Sequence, residues 1–184
     1  MSANLSIRSI TIREISDILQ QPLLLDVLID GEVDEAMYED EDEEVLEALR
    51  KWTPEIVDRQ QYDLEGAFIS MHYLFTGQKE EQGTTYPLNF LLKPKHPAGE
   101  TGFGPASAFR PEEVREISSA LNNLDPADLR IRYDADLFNQ LKIYPRGYTW
   151  KPEDENSLIE RFDEVRAFVT QVAAAGHGMI LTIT

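Results

Sequence analysis

Gly176-His177-Gly178-Met179-Ile180-Leu181-Thr182-Ile183-Thr184 decides the fold class of this chain. Met179 to Thr184 reads as a strand, because β-branched and apolar residues follow a glycine that ends a helix. That helix spans about Pro152 to Ala175, with Leu158, Phe162, Val165, Val169 and Val172 recurring at three and four residues. A strand needs a partner for its backbone groups. Tyr86–Leu92 is the first candidate and Leu5–Ile10 the second.

Working outward, most of the chain reads as helix. Thr11 with Glu14 forms a capping box for a helix ending near Gln21-Pro22, and a shorter apolar helix carries Leu23, Leu24, Val27 and Leu28 to a stop at Asp30-Gly31. Helices are also expected around Glu44–Lys51 and from Tyr62 or Asp63 to Thr76, where Leu64, Phe68, Met71 and Phe75 share one face and Gly77 caps the end. Gly99–Pro105 is a glycine-rich loop, with a short strand at Ala106–Phe109. Pro111, Asp125-Pro126 and Asp134 each open a further helix. Few strands that do not alternate with helices predict an α+β fold: a small mixed β-sheet covered by several helices, in a single domain over residues 1–184.

Charge narrows the partners. The chain carries −17, but Glu32 to Glu47 holds ten acids and no base, and the remainder carries only −7. Nucleic acid and anionic membranes are disfavoured as partners, and 32–47 reads as an acidic loop running into a helix start. The densest apolar run, Leu23 to Ile29, is too short to cross a membrane, and no signal-peptide pattern opens the chain. With no cysteine present, a reducing, cytoplasmic setting is expected.

Several segments together resemble the YfbM-like family of uncharacterised bacterial proteins. They are Asp63–Gly77 with Phe68, Met71-His72 and Phe75-Thr76-Gly77, then Gly102-Phe103-Gly104-Pro105-Ala106 ahead of a Pro-Glu-Glu helix, Asp128-Leu129-Arg130, Leu137 to Pro145, and the last helix with Gly176-His177. Phe68 stands where the family often has tryptophan, and Ser107 where arginine often follows Gly-Pro-Ala. The resemblance implies a fold and a bacterial source, and it supplies no catalytic residues.

Candidate site residues must therefore stand on their own chemistry. His72 lies at the border of an apolar stripe, where it either completes the core through a backbone carbonyl or serves as a ligand or acid–base group. His96, among Lys93, Pro94 and Lys95, reads as solvated, and His177 as part of a turn. Phe103 and Gly104 belong to a loop whose glycines admit a close backbone approach to a ligand. Tyr144-Pro145-Arg146-Gly147-Tyr148-Thr149-Trp150 is either a recognition surface or a connection pinned by its aromatics.

No calcium loop, zinc spacing, phosphate loop or nucleophile elbow occurs, so no metal or cofactor is expected and enzymatic activity stays open. The preferred function is a protein-binding module, for instance an immunity-like inhibitor, in which Glu39, Asp40, Glu41, Asp42, Glu43 and Glu44 attract a basic protein. The alternative is a small-ligand binder or enzyme with a pocket near His72, completed by Phe103, Gly104 and Tyr144.

Overall fold

The computed structural model describes residues 3–31, 41–145 and 147–184. Five strands form one sheet in the order β2-β1-β5-β4-β3. They are β1 (Leu5–Ile10), β2 (Gln61–Glu65), β3 (His96–Thr101), β4 (Gly104–Phe109) and β5 (Gly178–Ile183). The α+β class is as expected, but the sheet is antiparallel in every pairing rather than mixed.

β5 lies at the centre, paired with β1 from Leu5↔Ile183 to Ile10↔Gly178 and with β4 from Ser107↔Leu181 to Phe109↔Met179. Its side chains alternate between two cores. Met179 and Leu181 join a large core built with α4 (Phe68–Thr76), α5 (Pro111–Asn122), α6 (Pro126–Arg132), α7 (Ala135–Leu141) and α8 (Asp154–Ala174). Ile180 joins a smaller core with α1 (Ile12–Gln20), α2 (Leu24–Asp30) and α3 (Glu43–Lys51). The strand enters this sandwich through Gly178, where a Cβ would lie 2.4 Å from both the Phe109 carbonyl oxygen and Ile15 Cδ1. Only glycine fits there.

Three expectations are corrected. Tyr86–Leu92 is a run of turns, with Phe90 N–H donating to Pro87 O and Leu92 N–H to Asn89 O. Phe90 and Leu91 are both buried, which gave the run its strand-like composition. Residues 61–65 form an edge strand instead of a helix start, since Leu64 is buried by alternation while Ser6 Oγ bonds the Asp63 carboxylate across the pair. Gly99–Pro105 is largely strand and hairpin turn, linking β3 to β4 around a bulge between Pro97 and Glu100.

A buried ion pair ties the smaller layer to the sheet. The capping-box carboxylate of Glu14 accepts from Thr11 N–H (2.8 Å), Glu55 N–H (2.7 Å) and Arg59 Nη2 (2.7 Å), while Arg59 also donates to Ser9 O. Burial disfavours the Glu14 charge, but the hydrogen bonds and the Arg59 charge outweigh it and lower its pKa. The Glu14 contribution to stability is therefore present above the unfolded carboxylate pKa of about 4.3 and is lost as the pH falls toward the lower folded value. In urea titrations at neutral pH, Arg59→Ala should cost about 3–5 kcal/mol, since it leaves a buried charge unpaired. Glu14→Gln should remove part of the acid-side slope; an unchanged slope would count against this assignment.

Candidate functional site

Three of the four cavities described here border the connection between α7 and α8. Asn139, on α7, clamps its far end: Trp150 N–H donates to Asn139 Oδ1 (2.8 Å), and Asn139 Nδ2 donates to Trp150 O (2.9 Å). Trp150 Nε1 donates to Ile143 O (3.0 Å), so the indole is buried with its polar atom satisfied. Tyr148, Trp150, Phe138 and Tyr133 then pack edge-to-face with centroids 4.9–6.4 Å apart. At the near end, Tyr144 OH accepts from Ala3 N–H (2.8 Å), and its ring packs on Gly66, where a Cβ would lie 2.7 Å from Tyr144 Cε1.

Three cavities border this connection. One, about 420 Å³, is lined by Phe138, Ile143, Pro145, Tyr148 and Trp150 together with Lys79 and Lys142. A second, about 450 Å³, lies beside Tyr144, Ile69, Leu92, Glu80 and Glu81 and is bordered by the same two lysines. The third, about 210 Å³, lies under Tyr148 and Trp150 against Glu65, Gly66, Asp154 and Arg161. The first two have the volume of small-ligand sites, roughly 300–1,000 Å³. Among the described residues, the two non-glycines with positive φ flank this same region: Glu65 (φ 49°) at the bulge ending β2, and Lys142 (φ 53°) closing α7. Held left-handed residues of this kind concentrate at functional sites.

The four residues expected at a ligand site do not converge. Tyr144 lines the 450 Å³ cavity. His72 is fully buried in α4, with Nε2 donating to Glu80 O (3.3 Å) and Nδ1 without a partner among the described residues. Glu80, whose carbonyl it bonds, lines that cavity, and His72 itself does not. Phe103, half exposed, and Gly104 lie at the β3–β4 hairpin and line none of the four cavities described here.

Glu39 and Asp40 of the acidic run fall outside the described residues. Glu41, Asp42, Glu43 and Glu44 are exposed at the start of α3, where acids complement the helix dipole, and Glu43 pairs with Arg50 (2.8 Å). His96 is not solvated as expected: its Nε2 lies 3.0 Å from Glu113 Oε1 and it is only partly exposed. Glu113 in turn accepts from Arg110 N–H (2.8 Å) at the start of α5, a capping role that accounts for the pair. Among the described residues, no group of three or more metal-ligating side chains occurs, and no helix is long and apolar enough to cross a membrane.

Sequence reading flagged Tyr144 to Trp150 but missed Lys79, Lys142 and Phe138. Neither lysine carries a local motif; Lys142 lies between Phe138 and Tyr144 in the chain, and only tertiary folding brings Lys79 to them.

Burial lowers the His72 pKa, more than the Glu80 carbonyl and the Glu81 charge raise it. The folded state thus refuses a proton that the unfolded chain accepts below a pH of about 6.5. Stability from neutral His72 is full above that pH and is lost as the pH falls toward the depressed folded value. Denaturation midpoints between neutral and mildly acid pH should therefore drop in the wild type and flatten in His72→Gln. Parallel profiles for the two proteins would refute it.

Comparison with known proteins places the chain. Residues 1–182 match the profile of a domain of unknown function, DUF1877. Among solved structures, the fold is similar to that of a protein of unknown function, YfbM from Escherichia coli, with 17% identity, a TM-score of 0.65 and full coverage of both chains. No curated protein matches. The resemblance read from Asp63–Gly77 onward is thus borne out: the chain belongs to the DUF1877 family of YfbM-like domains.

Proposed function

We propose that this domain is a small-ligand-binding protein whose site is the cleft around the α7–α8 connection. One observation carries the reading: three cavities open around a single connection fixed at both ends, Tyr144 by Ala3 and Trp150 by Asn139. Rigid walls with committed polar atoms lower the ordering cost of binding. Apolar ring faces beside a few free polar groups are the usual composition of a ligand site.

Recruitment of a basic protein by the acidic run is the less favoured reading. Its described members already have local electrostatic roles at α3, including the Glu43–Arg50 and Glu47–Lys51 pairs.

The test is a fragment screen read by amide chemical shifts. Binders should perturb residues 65–67, 79–81 and 138–150 as one contiguous patch. Shifts confined to the β3–β4 hairpin or to α3, or no binder at all, would overturn the proposal.

A further inference from the structure

Resting on that reading, we infer that the ligand is a small planar organic anion, an aromatic ring bearing a carboxylate or phosphate, held in the 420 Å³ cavity by Lys79 and Lys142. The argument is one of elimination among polar groups. Among the described residues that line that cavity, Lys79 and Lys142 are the charged ones and none is an acid. In a chain of net charge −17 this is a local reversal of sign.

The neutral polar side chains there are already engaged. The Asn139 carboxamide is spent on Trp150, the Trp150 indole N–H on Ile143 O, and the Tyr148 hydroxyl on Asp154 Oδ1 (2.8 Å). The two ammonium groups form no ion pair among the described residues. Acids do stand nearby: Glu80 and Glu81 border the adjoining 450 Å³ cavity, and Asp154 lies behind Tyr148. Tyr148, half exposed, supplies the ring surface on which a planar group packs, backed by the buried rings of Trp150 and Phe138.

The left-handed backbone of Lys142 completes the picture. A lysine at φ 53° replaces the glycine or asparagine that favours this helix-ending conformation. Local stability alone would select one of those residues; retaining the ammonium explains the exception.

The experiment compares indole-3-acetate with indole-3-acetamide, and phenyl phosphate with phenol, by calorimetry and amide shifts on the intact chain. Each anion should bind at the 138–150 patch about tenfold more tightly than its neutral counterpart, the effect of one charge-assisted hydrogen bond. Added salt should narrow the difference. Lys79→Gln and Lys142→Asn, the latter compatible with a left-handed backbone, should each reduce the preference and together abolish it, with the melting temperature retained. Equal binding of anion and neutral probe, or a preference that survives the double substitution, would overturn the anion assignment while leaving a ligand cleft in place. Failure of all four probes to shift the patch, while other fragments from the screen do shift it, would overturn this inference and leave the cleft reading in place; failure of the probes and the fragments alike would overturn both.

Discussion

β5 is the constraint on which the rest of the structure depends. It is the strand that joins the β1–β2 ribbon to the β3–β4 hairpin, and it is covered on both faces. Such a strand tolerates neither a polar face nor a one-residue slip, because a slip would exchange the occupants of the two cores. Gly178 sets its position by admitting the Phe109 carbonyl and the Ile15 side chain where any Cβ would collide. Because β5 comes after the other four described strands, the sheet cannot close until it is available. Until then β1 and β4 each present an unpaired edge.

The two layers are held by different chemistry. The larger one rests on aromatic packing, with Phe75, Phe90, Phe109 and Phe162 in contact beneath the sheet. Arg132 adds a polar tie by donating to the last carbonyls of α4, at Leu74 (2.6 Å) and Phe75 (2.9 Å). The smaller layer buries mainly aliphatic side chains and relies on the Glu14–Arg59 pair to fix the route from α3 to β2. A buried ion pair of this kind adds little net stability beside a hydrophobic replacement, but it defines one geometry for that route.

Much of the fold was legible because its signals are local. The Thr11–Glu14 box, the Asp125-Pro126 and Asp134 starts and the period of α8 each act within a few residues, and each corresponds to an observed element. The failures came where tertiary context overrode spacing. Leu64 is in helical phase with Phe68, Met71 and Phe75, yet pairing with β1 draws residues 61–65 into the sheet. Phe90 and Leu91 are adjacent and both buried, so their composition could not distinguish a strand from packed turns. The cleft was less legible still. Most of its lining, Lys142 included, falls within residues 138–150, but Lys79 joins it only after the chain beyond α4 has packed against α7.

The Asn139 clamp has a consequence for how such a domain can change. By pairing with both the N–H and the C=O of Trp150, one side chain performs the work of a neighbouring strand. With Tyr144 held separately by Ala3, the connection is anchored at both ends by contacts that do not involve residues 147–149. Substitutions or insertions between the anchors can therefore alter the Tyr148 side of the cleft without unseating Tyr144 or Trp150. In that respect the connection behaves like a hypervariable loop on a fixed frame: new specificities can arise through its middle while the sheet and both cores stay as they are.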